Sequence, residues 1–436
     1  MKQVGLLFFP AFDWSLGNSH PEREERLLYT RDQIFEEGIM DLPQYREYAP
    51  KLAREKDVAR THALLPGPEH ILTPPHLVAA GGTLTLAKAL MDGEIERGFA
   101  MVRPPGHHAM HTVYGNRGFC TINNVAVLAN FLRHEYGLKR IAIVDTDVHH
   151  GDGTQDIFYH DPNVLYISIH QDGRTLYPGS GFTGERGGPR AWGQTLNIPL
   201  PPGTGDDGLL YVLEELVLPA LAEFKPELVI NSAGQDNHFT DPLANMQITA
   251  KGYGDLTRLL KPDLAVLEGG YAIETALPYV NLAILLAMAG MDYAGINEEY
   301  PAPVDTVPLS MIKPLVESVR TMKTKAPPLR EWHTAERGVF YDTEYIWEKR
   351  SEKIKGCLDC PGLHLTYTGS GRAPGPRPEH LVIRLPFDTC PSCRLEAEKT
   401  LAEAQKRGSF RTVYWQDQAG DRFFYLDGQI REMKDG

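Results

Sequence analysis

Asp147, His149 and Asp236 are side chains of the kind that hold a catalytic zinc. Such a site takes three protein ligands and keeps a fourth position open for water or substrate. Asp147 and His149 sit two residues apart in what begins as a strand, so both point to one side. His107 and His108 follow Pro104 and Pro105, and a histidine there can serve as general base near neutral pH when a carboxylate tunes it. Asp145 and Asp152 offer such carboxylates. Tyr271 follows Gly269 and Gly270 and can give its hydroxyl to a developing oxyanion. Taken singly, an Asp-x-His pair is an ordinary surface feature and Glu-Gly-Gly-Tyr an ordinary turn. Their weight comes from where they fall together.

Each group follows a short apolar run. These runs are Phe99–Val102, Ile141–Val144, Val164–Ile169, Leu228–Ile230 and Leu264–Leu267. Helical patterns such as Val125–Glu135 and Leu209–Phe224 lie between them. Strand and helix in this rhythm predict an α/β fold with a parallel sheet covered on both faces. Ligands of such sheets bind beyond the carboxyl ends of the strands, which is where the titratable groups gather.

The chain has 436 residues, 42% hydrophobic and 23% charged, enough for one large α/β domain and an appendage. Its 44 basic and 57 acidic residues give a net charge of −13. That excludes a nucleic-acid binder working by bulk electrostatics and suits cationic partners. No signal peptide is visible at the N-terminus, and Ala276–Ala289 reads as a buried helix rather than a membrane span, so a cytoplasmic protein is expected. From Ala326 onward there are 17 basic and 17 acidic residues, so the acidic excess lies wholly upstream. Five cysteines are too few for a disulfide scaffold, and four of them fall in this neutral tail.

Two units are therefore expected. Residues 1–322 would be the catalytic domain, 323–353 a linker around KTKAPP, and 354–436 a small module. Cys357-Leu-Asp-Cys360 and Cys390-Pro-Ser-Cys393 are two C-x-x-C knuckles, read as a structural four-cysteine zinc site in a zinc ribbon with a long insertion. Gly369–Pro378 reads as an exposed loop, Arg394–Arg407 as a helix, and Phe410–Trp415 and Arg422–Leu426 as strands.

RPPGHHA (103–109), GFC (118–120), DTDVHHGDGTQ (145–155), SAGQD (232–236), DPL (241–243) and EGGY (268–271) resemble the histone deacetylase family. NSHPEREERL (18–27), YPGSG (177–181) and PLPPGTGD (199–206) are similar to its class II and bacterial branch. The resemblance covers roughly residues 1–320. It implies an arginase/deacetylase-type three-layer fold with a central parallel sheet of about eight strands. It implies hydrolysis of an N-acyl-lysine or related acyl-amine amide to carboxylate and free amine. Acylated lysine side chains or acylated amines would be the partners, with neither nucleic acid nor membrane involved. The alternatives are an acetylpolyamine or other small-amide hydrolase of the same fold, and a non-catalytic acyl-lysine binder.

Residue by residue, the resemblance implies zinc on Asp147, His149 and Asp236. His108 would shuttle protons with His107 as its electrostatic partner, Asp145 orienting His107 and Asp152 orienting His108. Tyr271 would polarise the substrate carbonyl. A monovalent cation, K+ or Na+, would lie near Asp145, Asp147, His149 and Ser168, and a second near Phe158, Asp161 and Val164. Phe119 and Tyr177 would wall the acyl tunnel beside Gly118, with His20, Tyr114 and Leu176 at its rim. Leu243 stands where polyamine-selective relatives carry an acid, which turns the expectation away from acetylpolyamines. Gln235 replaces a hydrophobic residue next to Asp236.

Overall fold

A strand buried on both faces reads as an unbroken apolar run, and each run named above is a strand. The computed structural model describes residues 3–434 apart from 18–19, 299, 302–305 and 323–324. Two residues of the NSHPEREERL segment and the start of KTKAPP therefore lie outside the described residues. In chain order the first unit holds β1 (Val4–Phe9), β2 (Tyr45–Tyr48), β3 (Ala63–Leu64), β4 (Arg97–Val102), β5 (Thr112–Val113), β6 (Ile141–Asp145), β7 (Val164–Gln171), β8 (Thr195–Leu200), β9 (Leu228–Ala233) and β10 (Leu264–Leu267). Eight of them form one sheet in the order β2-β1-β4-β10-β9-β6-β7-β8, with every neighbouring pair parallel. β3 and β5 pair separately.

Alternation along the strands feeds two cores. On β6, Ala142 and Val144 pack toward the helices Ala250–Leu260 and Leu277–Ala289. Ile141 and Ile143 pack toward Pro74–Met91 and Asn124–Tyr136. The result is the three-layer α/β arrangement. The helix Asn124–Tyr136 shows how local sequence sets its limits: the Asn123 side chain caps its start by accepting the Ala126 N–H at 2.9 Å, and Gly137 ends it in the left-handed region. Among the described residues no helix is long and apolar enough to cross a membrane.

A second sheet begins at Trp332. Its strands are β11 (Trp332–Tyr341), β12 (Ile346–Lys355), β13 (His364–Gly371), β14 (His380–Leu385), β15 (Thr412–Asp417), β16 (Arg422–Leu426) and β17 (Ile430–Glu432), paired in that order. All pairs are antiparallel except β14–β15, which the helix Pro391–Arg407 connects. Within the expected linker, residues 332–341 and 346–353 are thus strands. The sequence concealed them because the inward positions of β12 include Glu348 and Arg350, both buried, so no apolar alternation marks the strand. β13 likewise runs to Gly371, into the expected loop. The four cysteines do cluster, with their sulfurs all within 4.8 Å of one another. Cys357 and Cys360 come from the β12–β13 loop, while Cys390 and Cys393 open the helix Pro391–Arg407. The body around the cluster is larger than a ribbon: seven strands with a helix on one face.

The other face of this sheet lies against the first unit. Tyr341, Val382, Tyr414 and Phe423 pack with Ala59, Leu65, Met110 and Tyr114. Tyr114, expected at the tunnel rim, is instead buried here, its hydroxyl 3.3 Å from Thr368 Oγ1. Polar groups are paired across the seam. Arg350 Nη1 contacts both Asp156 oxygens at 3.0 and 2.9 Å, and its Nε donates to Glu348 Oε1 at 3.0 Å. Thr112 Oγ1 donates to Glu348 Oε1 at 2.7 Å, and Gln416 Nε2 donates to the Ala59 carbonyl at 2.7 Å. Arg190 of the first unit donates to the carbonyls of Cys357 and Leu358 at 2.7 and 2.9 Å, which fastens the first cysteine knuckle.

Candidate active site

Three strand ends supply the centre of the site. β6 leads into Asp147 and His149, β9 into Asp236, and β10 into Glu268–Tyr271. Their positions are fixed by backbone N–H groups. Asp147 Oδ1 accepts from His149 N at 2.8 Å and its Oδ2 from Gly269 N at 2.7 Å; Asp236 Oδ1 accepts from Val148 N at 2.9 Å. Gly269 is required by this closeness, since a Cβ there would stand 2.2 Å from Asp236 Oδ2 and 2.6 Å from Asp147 Oδ2.

His149 Nδ1 lies 3.1 Å from both Asp147 Oδ1 and Asp236 Oδ2. Both carboxylates are fully buried. Burial and repulsion from Asp147 hold Asp236 above the usual carboxylate range. Burial opposes a charge on His149, but hydrogen bonds to the two aspartates outweigh it and push it up to about 10. Two buried anions around one imidazole need positive charge among them, and one nitrogen and two carboxylate donors suit a divalent ion with an open position. The residues therefore fit a catalytic metal.

The tandem histidines carry opposite environments. His107 Nδ1 lies 3.2 Å from Asp145 Oδ2, and its Nε2 lies 3.6 Å from Asp147 Oδ1. Burial disfavours its charge, yet Asp147 and Asp145 raise it well above the ordinary histidine value. His108 Nδ1 lies 2.9 Å from Asp152 Oδ1, and burial followed by the charge of His107 lowers it to about 3. The two rings lie 4.1 Å apart between centroids, close enough that charge on one disfavours charge on the other. A neutral ring with its Nδ1 engaged by a carboxylate has its Nε2 left to accept a proton.

A cavity of about 280 Å³ opens onto these groups. Phe119, Tyr177, Leu176 and Leu243 line it beside Gly118 and Cys120. Phe119 and Tyr271 meet edge to face at 5.4 Å, and Tyr177 meets His108 at 5.1 Å. His20 meets Phe119 edge to face at 4.3 Å. Gly118 has φ +52, and a side chain there would strike both His108 and Tyr177. Gln235 turns toward the helix Leu277–Ala289, where its amide donates to Asn281.

Of the proposed cation sites, Ser168 is the register partner of Asp145 across β6–β7, with its Oγ 2.8 Å from His170 Nδ1. Phe158, Asp161 and Val164 lie together where the helix Asp152–Phe158 turns into β7, with the Asp161 carboxylate taken by Arg133 at 2.5 Å.

Four further residues shape the site. Arg117 donates to Asp152 Oδ1 at 2.8 Å and so braces the partner of His108. Glu268 Oε2 accepts from the N–H groups of Gly106 and His107 at 2.7 and 3.1 Å. Asp241 Oδ2 accepts from Tyr271 N at 2.7 Å. Asp342, from the C-terminal unit, lines the cavity. Glu268 and Asp241 stood inside recognised motifs, but nothing local to Asp342 in sequence marks it.

An eight-stranded parallel sheet with paired histidine–aspartate couples and a buried two-aspartate, one-histidine cluster at its carboxyl edge defines a hydrolase of the deacetylase class. Residues 67–287 match the histone deacetylase domain. The chain is 45% identical over 307 residues to a probable deacetylase of Archaeoglobus fulgidus, covering 64% of this chain and 84% of that one. It is 35% identical over 223 residues to a histone deacetylase-like amidohydrolase of Pseudomonas aeruginosa, covering 49% of this chain and 58% of the other. The crystal structure of the HDA15 HD domain superposes with a TM-score of 0.63 at 28% identity, covering 74% of this chain and 95% of that chain. The chain belongs to the histone deacetylase family and is an enzyme of amide hydrolysis. The C-terminal sheet lies beyond the matched domain.

Proposed function

We propose that this chain is a zinc-dependent deacylase that hydrolyses N-acyl-lysine side chains or closely related acyl-amines. The observation that carries the reading is geometric: two histidine–aspartate couples and a two-aspartate, one-histidine cluster meet at the floor of an apolar cavity. Asp147, His149 and Asp236 would hold the zinc, which when bound polarises a carbonyl and makes water acidic. Phe119 and Tyr177 grip the acyl-bearing chain between aromatic faces and exclude water from it. His108 takes the proton of the attacking water at Nε2 and later returns it to the leaving nitrogen, so carboxylate and free amine depart with the proton count balanced. His107, set between Asp145 and Asp147, favours the negative charge that develops nearby. The Tyr271 hydroxyl donates to the carbonyl oxygen. Leu243 puts an apolar group on the cavity wall, where it offers no anchor for a second ammonium.

The test is a panel of acyl-lysine peptides and acyl-amines with metal-replete protein, repeated after chelation. Activity on acyl-lysine that vanishes with the metal and returns with zinc is expected. Activity indifferent to chelation, or confined to polyamines, defeats the reading.

The four-cysteine cluster is proposed as a second, structural zinc site, because closed tetrahedral sulfur sets suit that ion. Purified protein is then expected to carry about two zinc ions per chain, falling to about one when Cys357 and Cys360 both become Ser. Elemental analysis gives the count; one ion in the unmutated, folded protein would remove the second site.

A further inference from the structure

The β11–β12 turn belongs to the C-terminal unit, yet it stands at the mouth of the catalytic cavity. Four consecutive residues fasten it there. The Tyr341 hydroxyl donates to the Thr112 carbonyl at 2.8 Å, and Asp342 Oδ1 accepts the Gly118 N–H at 2.9 Å. Thr343 Oγ1 donates to Asn116 Oδ1 at 2.8 Å, and Glu344 Oε1 accepts the Asn116 N–H at 2.7 Å. They pin a tight turn closed by hydrogen bonds of 2.8 and 2.9 Å between Arg117 and Cys120. That turn holds Phe119 at φ +69, a left-handed conformation unusual for a bulky residue.

One oxygen of Asp342 is used in this clip. Among the described residues its Oδ2 has no hydrogen-bond or ion-pair partner. Asp147 and Asp342 are the carboxylates that line the cavity, and Asp147 sits at its floor with the histidines. The walls between are apolar or aromatic. His20, edge-on to Phe119, has its pKa lowered by burial against the opposing pull of Glu22 and Asp342. A half-buried carboxylate oxygen beside apolar walls is a receptor for an N–H donor, and charge-assisted hydrogen bonds of this kind are the strong ones.

Resting on the deacylase reading above, we propose that Asp342 is a specificity-determining residue whose free oxygen takes an N–H group carried by the substrate outside the scissile amide. The C-terminal unit is thereby part of the substrate-binding site. The N–H belongs either to a peptide backbone flanking the acyl-lysine or to a distal ammonium.

The experiment compares full-length, metal-replete wild type with Asp342→Asn and Asp342→Ala on three amides. One is an acetyl-lysine peptide, one an acetylated diamine with a free ammonium, and one an acetylated alkylamine with no other N–H. Asn retains an acceptor for the Gly118 N–H while losing the charge, whereas Ala loses both. The expected result is that kcat/KM on an N–H-bearing substrate falls about tenfold or more relative to the alkylamine in both variants, carried by KM. The arm that falls identifies the source of the N–H. Calorimetric binding of the free diamine to wild type and Asp342→Asn gives a second readout. Equal losses on all three amides would mean that Asp342 only holds the Phe119 turn, and no loss would mean that it faces solvent; either overturns the inference. Wild type that hydrolyses none of the three overturns the deacylase reading first, and this inference with it.

Discussion

Tyr271→Phe is expected to lower kcat on an acyl-lysine substrate by about 10²–10³, the usual effect of removing one oxyanion donor. The substitution isolates the hydroxyl. The ring keeps its edge contact with Phe119 at 5.4 Å and its place under the Arg26 guanidinium at 4.7 Å. The backbone stays held by Asp241 at Tyr271 N and Ala272 N. Burial raises the Tyr271 pKa well above its usual value, so the group remains a proton-bearing donor through the working pH range. Thermal stability and metal content should therefore match the parent while turnover collapses. Steady-state kinetics with elemental analysis decides the matter: a loss below about tenfold at full metal loading would take the oxyanion role from Tyr271.

Asp156→Ala is expected to destabilise the protein by about 3–5 kcal/mol, measured by denaturant unfolding. Asp156 is buried and faces two guanidiniums, Arg337 and Arg350, and accepts the His111 N–H at 3.0 Å. Its removal leaves Arg350, itself fully buried, with Glu348 and the more distant Glu352 as carboxylate partners. The cost is that of a buried guanidinium deprived of the carboxylate that its Nη1 meets with both oxygens, so adding Arg350→Met to Asp156→Ala should recover part of the stability. A double variant as unstable as the sum of the singles would refute this account. Activity should suffer too. Asp156 lies on the short helix Asp152–Phe158 that also carries Asp152, the partner of His108 at 2.9 Å.

The first unit was legible because its physics is local. Fully buried parallel strands announce themselves as apolar runs, and the chemical groups follow directly at their carboxyl ends, so Asp147, His149, Asp236 and the histidine pair could be placed before any contact was known. The cysteine knuckles were legible for a similar reason, since ligand spacing is local even when the loop between the knuckles is long. What stayed hidden is long-range. β12 presents Glu348 and Arg350 inward, and an ionic interior has no periodic signature. The family resemblance puts Tyr114 at the rim, but the C-terminal sheet covers it. Asp342 reaches the cavity through a turn whose sequence resembles any other.

The clip between Gly118 and Asp342 joins residues 224 positions apart. During synthesis the segment that frames the cavity is made long before the residues that fasten it. At ribosomal speed the wait is roughly 10–45 s. The central sheet can form in that interval from its own apolar strands, and the mouth cannot. A chain halted near residue 322 would carry the chemical groups without the contacts that hold the Phe119 turn.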